Sequence, residues 1–264
     1  MGLSPFSKEF MSKDFVNKVA LVTGGAGAGI GSHAVRRIAE EGGTVAVVDI
    51  HEKRCRQVAD EIARETGGRV EAFPGDIADR ERMKAVVTEI ETTLGGIDVL
   101  VNNAAENVLA PIRDFTMEDW DRVLAVDLTA AFHLIRLILP GMIERRRGAI
   151  VNISSIAGWL GDANEGREAP YASAKSALFS LTRSVAFEGG PFGVRCNAIA
   201  PGLIWTKFVA RYADQFQPEI DRTPLRRFGR PEEVAELVAF LGSDRSAFIT
   251  GEAVNISGGW YMRP

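Results

Sequence analysis

The sequence predicts an α/β fold, a doubly wound parallel sheet with helices on both faces, and three observations predict it. Six short apolar, β-branched runs recur: KVALVT (18–23), TVAVVD (44–49), RVEAFP (69–74), IDVLVNN (97–103), AIVNIS (149–154) and VRCNAI (194–199). They are continuously apolar rather than alternating, as strands covered on both faces are. Segments of helical spacing separate them at 29–42, 52–66, 79–94, 116–145 and 171–189. A glycine-rich stretch, TGGAGAGIGSHA (23–34), joins the first run to the first helix. A repeated βαβ order with right-handed crossovers makes a doubly wound sheet.

Taken in order, the first run ends in the glycine stretch, where small residues permit a tight turn and close backbone approach. Free amides at the following helix N-terminus suit a pyrophosphate. Gly29, Gly31 and Ala34 match G-x-G-x-x-A, and Gly25, Gly29, Ile30 and Gly31 are the candidate contacts. The second run ends at Asp49, 20 residues after Gly29. A carboxylate there binds ribose hydroxyls and repels a 2′-phosphate, favouring NAD over NADP. The third ends in PGDI, where Asp76 with Ile77 admits two readings, an adenine-pocket residue or a turn and helix-capping aspartate. Thr116 with Asp119 forms a capping-box pattern, and Pro170 and Pro231 suit first helical positions.

Bulk properties narrow the function classes. At 264 residues, 46% hydrophobic and 25% charged, the chain is ordinary for a globular protein. A net charge of −4 offers no basic footprint for nucleic acid, and Arg145–Arg147 reads as the charged end of a helix. Cys55 and Cys196 lie in no metal or redox spacing, so no metal is expected and Cys196 reads as a buried free thiol. No uninterrupted apolar run approaches the roughly 18 residues of a membrane span. No secretory or myristoylation pattern opens the chain, so the expected compartment is the cytoplasm. Residues 1–10 read as a flexible tail or alternative start, and 11–264 as a single catalytic domain.

YASAK (171–175) sets Tyr171 and Lys175 four residues apart, stacked on one helix face. The spacing alone suits either a chemical pair or the first turn of an alanine-rich helix. Beside it stand NNAA (102–105), NISS (152–155), APG (200–202), PLRRFGRPEEVA (224–235) and ITGEAVNISGG (249–259). In this order, together with the glycine turn, these motifs resemble the compact form of the short-chain dehydrogenase/reductase family, from about Lys18 to Gly259.

The resemblance implies a Rossmann-type sheet of about seven strands, a nicotinamide cofactor at the strands' carboxyl ends and a homotetramer. By position it makes Tyr171 the acid/base, Lys175 its partner and Ser155 the substrate-orienting hydroxyl. Asn103 and Ala104 would line the cofactor cleft, with Pro201, Gly202, Ile204 and Thr206 at the nicotinamide carboxamide. A free tyrosine titrates near pH 10, and a neighbouring ammonium with an oxidised nicotinamide would lower that value. Tyr171 would then take the proton of a secondary alcohol as hydride leaves for the nicotinamide, while Ser155 steadies the oxygen.

Three departures from the family pattern stand out. The glycine turn is one residue longer than usual. Asp127, in AVDLTAAF, replaces the family's asparagine, so a carboxylate that could pair with Lys175 or bind a proton enters the catalytic group. The stretch WLGDANEGREAP (159–170) is longer than usual and reads either as a loop over the substrate or as a surface excursion. Asn107, Trp159, Trp205 and Phe208 are candidate substrate contacts. Trp205, Phe208, Val209, Tyr212 and Phe216 fall at helical intervals in a candidate lid over about 203–224. WYMRP, at the C-terminus, suits contact with a neighbour or with its own subunit.

The expected activity is NAD(H)-dependent interconversion of a secondary alcohol and a ketone. The alternatives are a 3-oxoacyl-carrier-protein reductase and a non-catalytic NAD(H)-binding regulator.

Overall fold

The computed structural model describes residues 13–161, 167–210 and 216–262. The strands are β1 (Val19–Thr23), β2 (Thr44–Val48), β3 (Val70–Ala72), β4 (Val99–Asn102), β5 (Gly148–Ile153), β6 (Val194–Pro201) and β7 (Ala253–Ile256). The helices are α1 (Ile30–Glu40), α2 (Glu52–Thr66), α3 (Arg80–Leu94), α4 (Met117–Leu124), α5 (Ala130–Arg145), α6 (Ala157–Leu160), α7 (Ala169–Gly189), α8 (Lys207–Ala210), α9 (Gln217–Arg222) and α10 (Pro231–Gly242).

All neighbouring strands pair parallel, in the order β3-β2-β1-β4-β5-β6-β7. The order reverses between β1 and β4, and such a switch point opens a crevice at the strands' carboxyl ends. Alternation within the apolar runs divides the core. Ala20, Val22, Val45 and Val47 face α1, α2 and α10, packing on Val35, Ile38, Ile62 and Val238. Leu21, Ala46, Val48 and Leu100 face α3, α5 and α7, packing on Val86, Ile90, Leu134 and Ile138. Each large side chain so buried stabilises the fold by about 1.5–3 kcal/mol.

The predicted third run shortens, yet Phe73 N still donates to Val47 O at 2.8 Å beyond the end of β3. Thr116 caps α4 through the anticipated box, accepting from Asp119 N at 3.0 Å while Asp119 accepts from Thr116 N at 3.2 Å. Between α4 and α5 the helix widens into a π-turn over Ala125–Thr129, which periodicity does not reveal; such turns recur at functional sites. Met117–Arg145 is long and apolar enough by composition to span a bilayer. Half of its apolar window is buried and Asp127 within it forms a buried ion pair, so it serves as a core helix.

Candidate active site

A cleft of about 910 Å³ runs across the switch point, lined from Asp49 and Arg54 at one end to Tyr171 and Trp260 at the other. At the first end, Gly24 turns the chain out of β1 with φ +61°, and its carbonyl sits where a Cβ on Gly31 would be. Any side chain at Gly31 would therefore force the turn open. No side chain caps α1, so its first amides remain available beside Gly24, Gly27, Gly29 and Ile30 of the wall. Thr23 Oγ1 accepts from Asn103 N (2.9 Å) and Ala104 N (3.0 Å), while Asn103 Nδ2 donates to Thr23 O (2.8 Å). These bonds clamp the turn to the end of β4.

Asp49, the residue after β2, is buried, with Oδ1 accepting from His51 N (3.0 Å) and Arg54 Nη2 (2.9 Å) and Oδ2 from Ala26 N (3.3 Å). Asp76 combines a turn with a charge pair. Oδ1 accepts from Ala78 N at 2.9 Å and Oδ2 from Arg122 Nη1 at 2.9 Å. Arg122 also donates to Glu106 Oε2 at 2.8 Å, and these two carboxylates raise the guanidinium's pKa. Bare glycine backbone, open amides and a carboxylate at the β2 tip fit the pyrophosphate and ribose of a dinucleotide.

At the far end, α7 begins with Pro170 in its first turn and carries Tyr171 and Lys175 toward β5. Lys175 is buried, with Nζ 3.1 Å from Ile153 O and 3.1 Å from Asp127 Oδ2. The latter is a close ion pair rather than a well-aligned hydrogen bond, since Asp127 Oδ2 has no bond meeting hydrogen-bond geometry. Asp127 Oδ1 accepts from Glu106 N at 2.8 Å. Burial pushes the Asp127 carboxyl above its ordinary range, against the pull of Lys175 and the Glu106 amide.

Ser155 stands beside Tyr171, and its Oγ accepts from Ala157 N at 3.1 Å. The Tyr171 phenol is held well above pH 10, first by burial, then by the Asp127 and Glu168 carboxylates; the Ser155 hydroxyl pulls the other way. Lys175, its ammonium 5.3 Å from the ring centroid, is paired with Asp127. Ser154 Oγ donates to Lys175 O at 2.7 Å, tying α7 to the end of β5.

Of the candidate site residues, Gly29, Ile30, Asp49, Asp76, Ile77, Asn103, Ala104, Asn107, Ser155, Tyr171, Lys175, Pro201, Gly202, Ile204 and Thr206 are brought together around this one cleft. Other predicted residues are not. Gly25 and Gly31 stand behind the wall, a Cβ on Gly25 meeting Val47 and Val35 of the core. Asp127 also lies behind the wall, acting on the cleft through Lys175 and the Glu106 amide.

Trp159 is not among the residues lining the cleft. It stacks on Phe179 at 3.7 Å between centroids and donates to Asn255 Oδ1 at 3.0 Å. Trp205 turns outward onto Phe228 at 5.1 Å, as the chain is held by a backbone bond from Trp205 N to Gly229 O. Val209 and Phe216 do line the cleft. The Phe208 side chain, Tyr212, residues 162–166, the first twelve residues and the last two lie outside the described residues. Of the C-terminal aromatics, Trp260 lines the cleft of its own chain and Tyr261 lies 6.2 Å from Trp159.

Sequence reasoning missed Glu168, Arg122, Arg54 and His51 in the wall. Glu168 stood three residues before Tyr171, the one available signal. Neither cysteine takes part, both being free and buried, with burial pushing Cys55 to about 11 and Cys196 to about 12.

The family model described as Enoyl-(Acyl carrier protein) reductase matches residues 25–261. The chain is 37% identical over 243 residues to the 3-oxoacyl-[acyl-carrier-protein] reductase FabG of Thermotoga maritima, covering 92% of this chain and 97% of the relative. It is also 37% identical over 263 residues to a hexahydroindene-carboxyl-CoA reductase of Mycobacterium tuberculosis, covering 97% and 98%. A Brucella melitensis 3-oxoacyl-[acyl-carrier protein] reductase solved with bound NAD superposes with a TM-score of 0.89 at 32% identity, covering 100% and 99%. With the parallel seven-stranded sheet, these likenesses establish the chain as an oxidoreductase of the short-chain dehydrogenase/reductase family.

Proposed function

We propose that this protein interconverts a secondary alcohol and a ketone with NAD(H), using Tyr171 as acid/base, Ser155 to orient the substrate oxygen and Lys175 to hold the Tyr171 end. The observation that carries the reading is the convergence of Ser155, Tyr171 and Lys175 at one end of a cleft whose other end holds Asp49. Bound across that cleft, the dinucleotide supplies the hydride acceptor or donor. In oxidation Tyr171 takes the hydroxyl proton, and in reduction its phenol gives one back. Ser155 donates to the same oxygen and steadies its partial charge. Asp127 fixes Lys175 from behind and adds a negative charge that favours the protonated phenol.

The NAD preference rests on the buried Asp49 carboxylate, which disfavours a 2′-phosphate. Arg54, half-exposed in the same wall, favours a second reading in which NADP is also accepted. The similarity to 3-oxoacyl-carrier-protein reductases supports a β-ketoacyl thioester as the alternative substrate. We further propose a homotetramer in the cytoplasm, the exposed Phe132 of α5 and Phe187 of α7 offering apolar faces for pairing.

The test is NADH formation from a panel of secondary alcohols at pH ~9, where more of the phenol is ionised than at neutral pH, alongside Tyr171→Phe. Turnover lost in the variant with NAD⁺ binding intact supports the assignment, and undiminished turnover sinks it. NADH binding without turnover on any alcohol or 3-oxoacyl thioester would point instead to a cofactor-binding regulator.

A further inference from the structure

Two side chains at the Tyr171 end, Asn107 and Glu168, neither give nor take the reacting proton. Glu168 immediately precedes α7, is buried, and lines the cleft. Its Oε2 accepts from Asn107 Nδ2 at 2.9 Å. The two come from segments 61 residues apart, and a backbone bond from Ala110 N to Arg167 O at 2.9 Å clips those segments together. The pair is therefore a fixed part of the wall.

An ionised carboxylate only accepts hydrogen bonds, so the Asn107 atom facing it is the amide nitrogen. That fixes the other end of the amide. Asn107 Oδ1 is buried with no hydrogen-bond partner among the described residues, a condition that costs free energy until a donor arrives. This part of the wall thus offers acceptors, while the donors Ser155 and Tyr171 stand together. Glu168 is the N-cap residue of α7 and Tyr171 stands in its first turn, and both line the same end of the cleft. One small molecule bound at this end can therefore meet both Glu168 and Tyr171.

We propose that Asn107 and Glu168 form a hydroxyl-recognising subsite, and that the substrate is a polyol or hydroxyketone with a second hydroxyl next to the reacting carbon. The proposal rests on the alcohol–ketone reading above and narrows its substrate class. A lone neutral amide oxygen beside a carboxylate already held by Asn107 matches the single O–H of a hydroxyl. A 3-oxoacyl chain brings no donor to that position.

The test compares trans-1,2-cyclohexanediol with cyclohexanol in two ways. One is kcat/KM with NAD⁺ for the wild type, Glu168→Leu and Glu168→Gln. The other is Kd by ligand-observed NMR at saturating NADH, in the Tyr171→Phe background with and without Glu168→Leu, which reads the subsite without turnover. The wild-type kcat/KM and the Tyr171→Phe Kd are each expected to favour the diol by about tenfold. Glu168→Leu brings both ratios to near unity, and Glu168→Gln, which keeps an acceptor, restores part of the kcat/KM ratio. Should Glu168→Leu fail to fold, Glu168→Gln and Asn107→Leu carry the comparison.

Equal Kd values in Tyr171→Phe, or a diol preference that survives loss of the acceptor, overturn the subsite. Tighter binding of 2-aminocyclohexanol than of the diol, or a 3-oxobutanoyl thioester turned over better than any diol, overturns the substrate class. A diol preference in Kd with no turnover of either alcohol leaves the subsite standing and removes the alcohol–ketone reading.

Discussion

The glycine-turn end of the cleft and the Tyr171 end are assembled differently. The first is made from the tips of β1, β2 and β4 and is mostly backbone, with the Gly24 carbonyl resting where Gly31 lacks a Cβ and Thr23 clamping Asn103 and Ala104. The second is made of side chains from the loop after β4, the π-turn, α7, the segment after β6 and the C-terminus. It also concentrates buried charge, with Asp127, Lys175 and Glu168 around one phenol. Backbone shape tolerates few substitutions but says little about the ligand beyond its phosphates. Buried charge can be retuned one residue at a time, so specificity and pH response belong to the second end.

That contrast breaks or holds at three substitutions. Tyr171→Phe should lower kcat by about 10³, within the usual range for a lost acid/base group, while Kd for NADH from fluorescence titration stays put. A variant that loses cofactor binding as well would mean the two ends are not separable. Gly31→Val meets the Gly24 carbonyl and the Asn103 amide, so cofactor affinity should fall by at least about tenfold as the turn is forced open. A Kd unchanged in that variant would show that the turn does not hold the cofactor. Asp49→Ser removes a carboxylate and frees Arg54, and the NADP⁺/NAD⁺ ratio of kcat/KM should rise by about a hundredfold as like-charge repulsion is lost. A constant ratio would move the cofactor preference elsewhere.

The same contrast explains what the sequence makes legible. Strands and helices follow from the apolar runs because alternate residues such as Leu21 and Val22 serve opposite faces of one sheet. The first end is legible because Gly29, Ile30 and Asp49 lie within a short span of chain and Asn103 and Ala104 are carried by a motif of their own, although the wall takes Gly24 where the motif predicts Gly25. The second is only partly so. Ser155, Tyr171 and Lys175 are carried by motifs, but Trp159 and Trp205 pack onto Phe179 and Phe228, partners 20 and more residues away that no spacing shows. Glu168 and Arg122 enter the wall only because the fold returns them to Asn107 and Asp76. The π-turn holding Asp127 has no periodic signature at all.

The finest prediction compares two carboxylates within the second end. Asp127 and Glu168 both hold the Tyr171 phenol above its ordinary value, Asp127 more strongly. A negative charge penalises the phenolate, so removing it lowers the pKa and the base form appears at lower pH. Oxidation should therefore reach half its maximal kcat at lower pH in Asp127→Asn, which also leaves the Lys175 ammonium without its partner and adds a second push in the same direction. Glu168→Gln should move the same limb the same way by less, because Glu168 is bonded to Asn107 and has no part in the lysine pair. The reduction limb, which needs the phenol, falls away at lower pH in both variants. The measurement is kcat at saturating NAD⁺ against pH from about 6 to 11, because the positive nicotinamide of the bound cofactor lowers the phenol toward that span. An immobile profile in Asp127→Asn would mean that Lys175 already cancels the carboxylate at the phenol. A larger shift in Glu168→Gln than in Asp127→Asn would reverse the order and make the substrate wall, rather than the lysine pair, the main control on Tyr171.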